Sequence, residues 1–237
     1  MRNIEEKIEG LDWEAITNKI QEKGNALVTD ILDSAQCTAL IKLYNGHQGY
    51  RKTVLMERYR FGQGEYKYFD NPLPEPLGQI REKLYSKLVP LANKWGRVLN
   101  MESLYPPTHP EFLEQCRNKG QGRPTPLILK YGKGGFNTLH QDLYGEIHFP
   151  IQAVFFLSRP GTDFTGGEFV MTQQNPRAQS KAIVLSPNRG DMLLFPTNFR
   201  PVKGSRGYYR ATVKHGVSEL HTGERYTLGI PFHDALN

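Results

Sequence analysis

The sequence predicts an α+β fold in which helices dominate the first half and short strands dominate the second. Two patterns carry this prediction. Apolar residues recur at helical spacing in the N-terminal region, whereas β-branched and aromatic runs separated by turn residues follow Pro126. The chain has 237 residues, of which 38% are hydrophobic and 23% are charged. This is the size and composition of one large globular domain or of two small ones.

Three helices and one short strand are predicted in the N-terminal region. Helical spacing marks residues 11–23 and residues 34–44, the latter preceded by the candidate N-cap Asp33. Residues 77–99 form the third candidate, and Pro90 inside it predicts a kink or a break. Residues 26–31 resemble a strand. Residues 106–126 contain five prolines and are predicted to be a loop region, so we assign residues 1–119 to a helical support and residues 120–237 to a β core.

Seven short strands are predicted in the β core, separated by turn signals such as Gly134-Gly135 and Gly166-Gly167. Strands at this spacing indicate a sandwich, a jelly roll or a barrel. The predicted strands are residues 127–131, 148–157, 168–172, 182–185, 192–195, 210–217 and 225–232.

Charge and cysteine content restrict the function classes. The net charge of +6 permits anionic partners such as nucleic acid, but the basic residues are scattered. Cys37 and Cys116 are the only cysteines, which excludes a thiolate zinc site and a disulfide framework. Residues 1–10 lack the apolar core of a signal peptide, and no stretch is long enough for a membrane span. We therefore expect a cytoplasmic protein with no membrane partner.

Three residues of the β core have the chemistry of an iron site. His140 and Asp142 are two residues apart, so on an extended chain their side chains project to the same face. His215 follows in another predicted strand. Two histidines and one carboxylate form the facial triad of non-haem Fe(II), which leaves coordination positions open for ligands. We therefore interpret His140, Asp142 and His215 as candidate metal ligands.

Arg225 lies ten residues after His215, beyond a glycine-containing turn. If the two residues lie on adjacent antiparallel strands, both can point into one cavity. A planar guanidinium there would bind a carboxylate through two hydrogen bonds. Thr227 is two residues further along the same predicted strand and can reach the same carboxylate.

Together these residues resemble the 2-oxoglutarate/Fe(II)-dependent dioxygenase superfamily, in its prolyl-hydroxylase-like branch and a group of prokaryotic oxygenases of unsettled substrate. The resemblance implies a double-stranded β-helix (jelly-roll) core with supporting N-terminal helices, and Fe(II), 2-oxoglutarate and O2 as cofactor and cosubstrates. It implies iron ligation by His140, Asp142 and His215, and 2-oxoglutarate binding by Arg225 and Tyr131. The segments that carry it are residues 127–142, 166–170, 190–195, 213–218 and 223–233.

These residues do not specify the substrate. The protein is expected to hydroxylate a protein side chain or a small molecule. The alternative is oxidative demethylation of alkylated nucleic-acid bases, whose enzymes carry a second arginine and an asparagine where this chain has Pro231 and Leu129. An alternative of another class is a non-catalytic cupin-like metal-binding module, which would have no need of Arg225.

Two segments and three histidines have no assigned role. Residues 56–69 interleave basic and aromatic residues, which fits either strands laid against the jelly roll or a surface for a nucleic acid or a peptide. Residues 200–210 have a similar composition and are expected to form a loop at the edge of the site. The other histidines of the β core are His148, His221 and His233. The sequence contains no pattern that specifies an oligomeric state.

Overall fold

A computed structural model of the chain describes residues 4–46, 48–102 and 104–236. The helices of these residues are α1 Ile4–Glu9, α2 Trp13–Lys23, α3 Ser34–Asn45, α4 Leu77–Val98 and α5 His109–Asn118, with a 3₁₀ helix at Met56–Tyr59. Each of them is too short or too polar to cross a bilayer.

Strands dominate the second half of the chain, and several precede it. They are β1 Ala26–Val28, β2 Tyr50–Leu55, β3 Gly62–Gln63, β4 Glu65–Phe69, β5 Gln121–Arg123, β6 Leu127–Tyr131, β7 Phe136–His140, β8 Ile151–Phe156, β9 Phe164–Gly166, β10 Phe169–Gln174, β11 Ser180–Leu185, β12 Met192–Pro196, β13 Phe199–Gly204, β14 Gly207–Val217, β15 Leu220–Gly223, β16 Arg225–Ile230 and β17 Ala235–Leu236.

Two antiparallel sheets form the jelly-roll core predicted from the sequence. The larger has the strand order β1-β12-β8-β16-β6-β4-β2, and the smaller has the order β11-β10-β14-β7-β3, with β13 paired to β14. Side chains from both sheets pack between them, including Val154 and Leu193 from the larger sheet and Met171 and Val213 from the smaller. This sandwich of apolar side chains fixes the distance between the sheets, and the candidate site lies in the same space.

The N-terminal helices cover the outer face of the larger sheet. Ile20 of α2 and Leu84 of α4 are fully buried in one cluster with Phe155 and Leu228 of the sheet. The N-terminal region also supplies β1, β2 and β4 to the larger sheet and β3 to the smaller one. The proposed boundary between residues 119 and 120 stays a prediction.

Three local expectations are corrected. Helix α4 continues through Pro90 to Val98, so the break expected there is wrong, whereas the alternative of a kink stays a prediction. Residues 106–126 are not simply a loop, because α5 begins after Thr108, whose side chain forms a capping box with Glu111. Residues 200–210 form the β13–β14 hairpin instead of a loop at the site.

Candidate functional site

The two candidate histidines lie opposite each other on paired strands. His140 is the last residue of β7, and it pairs in register with His215 of β14. Directly opposed side chains on one face of an antiparallel pair are close together, and the two imidazole centroids lie 4.3 Å apart. The pairing therefore brings together residues that are far apart in the sequence.

Asp142 completes a three-residue cluster. Its Oδ1 lies 3.5 Å from His140 Nε2, and its Oδ2 lies 3.2 Å from His215 Nε2. Each of the three residues offers one ligand atom, and these atoms all lie within 4.8 Å of one another. Among the described residues, this cluster is the group that could hold a metal ion. His140 Nδ1 donates to the Thr138 carbonyl at 2.8 Å. Its other nitrogen is therefore free to act as a ligand atom.

The cluster is electrostatically coupled. Burial alone would raise the pKa of Asp142, but the two imidazoles hold it well below its usual range. Burial also opposes protonation of His140, yet the hydrogen bond and the charge of Asp142, together with backbone hydrogen bonds, outweigh it and raise the pKa of that imidazole. Burial and the nearby charge of His140 lower the pKa of His215. An ionised carboxylate beside a neutral imidazole is the ligand form of these groups.

Arg225 lies in the opposite sheet from His215, so the expectation that they occupy adjacent strands is wrong. Arg225 opens β16 and pairs with Tyr131 of β6, while His215 belongs to β14 of the smaller sheet. Both nevertheless line one cavity, because the two sheets face each other. The Arg225 side chain is 2% exposed, and its Nη1 has no hydrogen-bond partner. Burial lowers its pKa to about 10, so it stays charged at neutral pH.

Tyr131 and Thr227 lie next to Arg225. Tyr131 is fully buried, accepts a hydrogen bond from Asn137 at 3.3 Å, and faces Arg225 across the strand pair. Thr227 is also buried, and both residues line the same cavity as the candidate metal ligands. The structure thus brings together all six residues selected from the sequence.

The cavity has a volume of about 340 Å³. Apart from the candidate metal ligands, Arg225 is the one charged side chain among the described residues that line it. Much of the remaining wall is aromatic. The aromatic lining residues are Phe61, Tyr66, Tyr68, Tyr131, Tyr144, Phe169 and Phe195.

The other histidines of the β core have different environments. His148 contacts Asn198 at 3.1 Å, and His221 is exposed. His233 is fully buried, and its Nε2 lies 3.1 Å from the backbone oxygen of Asp142. Sequence reasoning missed this contact and also the hydrogen bond from Tyr144 to the Asp142 carboxylate. The second had a possible signal, since Tyr144 is two residues from Asp142.

Comparison with known proteins gives a consistent family. The model of the Oxygenase-NA family, described as "oxygenase, catalysing oxidative methylation of damaged DNA", matches residues 64–235. The uncharacterized proteins Rv2227 and MT2286, from two strains of Mycobacterium tuberculosis, are each 45% identical over 167 residues. These alignments cover 70% of this chain and 72% of each relative.

Solved structures share the fold at low sequence identity. A prolyl-4-hydroxylase of Pseudomonas putida superposes with a TM-score of 0.53 at 14% identity, covering 95% of this chain and 100% of that one. An oxidoreductase of the 2OG-Fe(II) oxygenase family from Burkholderia pseudomallei has a TM-score of 0.54 at 15% identity, with coverage of 96% and 95%. These similarities show a common jelly-roll architecture.

Proposed function

The chain belongs to the Oxygenase-NA family within the 2-oxoglutarate/Fe(II) oxygenases, and from this premise we propose that it couples oxidative decarboxylation of 2-oxoglutarate to hydroxylation of a C–H bond in its substrate. It is a 2-oxoglutarate-dependent dioxygenase that uses Fe(II), 2-oxoglutarate and O2. The observation that carries the residue assignment is the convergence of the His140–Asp142–His215 cluster and Arg225 on one cavity.

The donor set fits Fe(II). Two imidazole nitrogens and one carboxylate oxygen form the facial triad of non-haem iron sites, and such a triad leaves positions open for a cosubstrate and O2. We assign His140, Asp142 and His215 as the ligands. A bound Fe(II) with 2-oxoglutarate would supply O2 activation and the oxidising power to attack an unactivated C–H bond.

Arg225 fits a carboxylate. An arginine that is 2% exposed and has an unpartnered Nη1 carries an uncompensated buried charge, and the distal carboxylate of 2-oxoglutarate would neutralise it through charge-assisted hydrogen bonds. Tyr131 and Thr227 would donate further hydrogen bonds to the cosubstrate. The largely aromatic lining is less polar than water, which strengthens these interactions.

A second candidate function, oxidative demethylation of alkylated nucleic-acid bases, is favoured by the mouth of the cavity. Tyr59 and Phe61 are 51% and 46% exposed and stack with their ring centroids 5.5 Å apart. Exposed Arg58 and Arg60 flank Tyr59 in the sequence, and the Nζ of exposed Lys52 lies 5.8 Å from the Tyr59 ring centroid. We call these five residues the basic–aromatic rim. Exposed aromatic faces beside cationic side chains suit single-stranded nucleic acid. Its bases stack on the aromatic rings, and its phosphates pair with the cations.

Other contacts connect this rim to the candidate iron site. The Phe61 carbonyl accepts hydrogen bonds from the backbone and side chain of Thr138, at 2.9 and 2.8 Å. Thr138 is two residues before His140 on the same strand. An alkylated base would meet an aromatic wall with few charges, and the family description names damaged DNA. Pro231 and Leu129, where the alkylation-repair enzymes carry arginine and asparagine, both line the cavity, so any base would be bound through different contacts.

The substrate test uses succinate formation as its readout. Single-stranded DNA with N-methylated bases should stimulate turnover above unmodified DNA and above proline-containing peptides. Phe61→Ala should raise KM for that DNA about tenfold, because base–aromatic stacking contributes about 1–3 kcal/mol. Tyr208→Ala, which removes an exposed tyrosine of β14 outside the rim, is the control. Stimulation by a peptide alone would eliminate the demethylase candidate.

The cofactor test uses the visible charge-transfer band of 2-oxoglutarate chelated to Fe(II) under nitrogen. Wild type should show the band, and His215→Ala should lack it. His221→Ala, which removes an exposed histidine outside the cluster, should retain the band. A wild type that binds iron without the band at saturating 2-oxoglutarate would leave the cupin-like metal-binding module as the better account.

The cytoplasmic location stays a prediction. Both cysteines are buried and free.

A further inference from the structure

Asp142 lacks the backbone support that the two histidines have. His140 and His215 belong to paired strands, whose ladder hydrogen bonds orient their side chains. Asp142 follows the end of β7, in an irregular segment that continues to residue 150. Its carboxylate must therefore be oriented by contacts other than those of a sheet.

One such contact comes from Tyr144. Its hydroxyl donates to Asp142 Oδ1 at 2.9 Å, the same oxygen that faces His140. An ionised carboxylate can only accept, so the direction of this bond is defined. The Tyr144 ring is held between Tyr68, at a centroid distance of 6.1 Å, and His233, at 5.6 Å. The hydroxyl therefore has little freedom to leave the carboxylate.

The second contact comes from His233 and reaches the backbone of Asp142. The Phe149 N–H donates to His233 Nδ1 at 3.3 Å, which places the imidazole proton on Nε2. That nitrogen donates to the Asp142 carbonyl at 3.1 Å. Asp142 is thus held at its carboxylate by Tyr144 and at its main chain by His233.

His233 is itself anchored to helix α4. Arg81 of that helix is 2% exposed and donates to the backbone oxygens of Pro231 and His233 at 2.9 and 3.1 Å. It also forms a buried ion pair with Asp234 at 2.8 Å. This network fixes the segment after β16, so that the position of His233 depends on the helical layer.

We propose that Tyr144 and His233 are positioning residues that hold Asp142 in its metal-binding orientation. This inference rests on the proposed function, because it presupposes that Asp142 is a metal ligand. Partners that orient a ligating side chain typically change metal affinity about 10- to 100-fold when they are removed. The contacts reach Asp142 through two different atoms, so each can be removed separately.

The test measures the Kd for Co(II), from its visible absorption, in the metal-free full-length protein. Tyr144→Phe removes one oxygen and should raise the Kd about tenfold or more. His233→Leu should have a similar effect, and His233→Gln, whose amide can still donate to the Asp142 carbonyl, should restore most of the affinity. Tyr105→Phe is the matched control, since the Tyr105 hydroxyl donates to the His148 carbonyl at 3.1 Å and does not contact the triad.

The outcomes distinguish a failure of the positioning roles from a failure of the metal centre. A Kd for Tyr144→Phe and His233→Leu within twofold of wild type would overturn the positioning roles, even with the metal centre intact. If the Kd of Tyr105→Phe rises as much as that of Tyr144→Phe, the positioning roles are also overturned. The loss of any buried hydroxyl would then weaken Co(II) binding. A wild type that binds no Co(II) would instead overturn the metal centre itself. If His233→Leu fails to fold, Tyr144→Phe decides the question.

Discussion

Arg225→Met should affect the ligand-free protein and the 2-oxoglutarate complex in opposite directions. Arg225 is buried with an unpartnered nitrogen, and burial lowers its pKa from the usual value of an arginine to about 10. This difference corresponds to about 3 kcal/mol against the charged form. Methionine has a similar length and no charge, so the ligand-free variant should be as stable as wild type or up to about 3 kcal/mol more stable.

The complex should lose affinity. A hydrogen bond to a charged group contributes about 1.5–3 kcal/mol, so the loss of two raises the Kd for 2-oxoglutarate at least about 100-fold. The assay is thermal unfolding with saturating Mn(II), with and without 2-oxoglutarate. At 100 times the wild-type Kd, the cosubstrate should stabilise wild type by about 2.7 kcal/mol, and the variant should show almost no change in Tm.

Arg200→Met is the matched control. Arg200 is also buried, but its three nitrogens donate to Gln173 Oε1 and to the carbonyls of Gln21 and Glu22. Its removal leaves those acceptors without a partner, so that variant should be less stable than wild type by about 2–3 kcal/mol. If Arg225→Met is destabilised as Arg200→Met is and still responds to 2-oxoglutarate, Arg225 does not bind the cosubstrate carboxylate.

Other predictions follow from single residues. Thr227→Val and Tyr131→Phe should each raise the Kd for 2-oxoglutarate about 3- to 10-fold, since each removes one hydrogen bond of about 1 kcal/mol; unchanged affinity in titrations would exclude their contact with the cosubstrate. Burial lowers the pKa of His109 to about 3 in the folded protein, whereas its pKa in the unfolded chain is about 6.5. Between these two pH values the imidazole is protonated only in the unfolded chain. Stability is therefore lost as pH falls, by about 2 kcal/mol between pH 7 and 5 for this residue, and urea unfolding of His109→Gln should show that much less pH dependence. Equal dependence in both proteins would contradict the assignment. Gly223 has a φ of +78°, and a Cβ there would overlap the Asp163 carbonyl oxygen. Gly223→Ala should reduce the free energy of unfolding by about 2 kcal/mol or more; a loss below about 0.5 kcal/mol would show that the turn adapts.

Much of the fold could be predicted because its signals are local. The N-cap Asp33 does form a capping box with Gln36 at the start of α3, since such a cap depends only on residues three positions apart. The start of α5 has the same kind of local signal in Thr108 and Glu111, although the five prolines of residues 106–126 are typical of a loop. Strand β7 carries no such signal, because its apolar residues Phe136 and Leu139 are three positions apart and lack the two-residue alternation that marks a strand.

Residue type and order alone predict the chemistry of the site, because the candidate iron triad and the candidate carboxylate-binding Arg225 can be recognised without knowledge of the fold. Tertiary structure decided which elements bring these residues together. His215 and Arg225 are ten residues apart in the sequence, yet they lie in opposite sheets and meet only across the cavity. His233 reaches Asp142 over a separation of 91 residues. Such contacts depend on how sheets and helices pack, and no local pattern of residues encodes that packing.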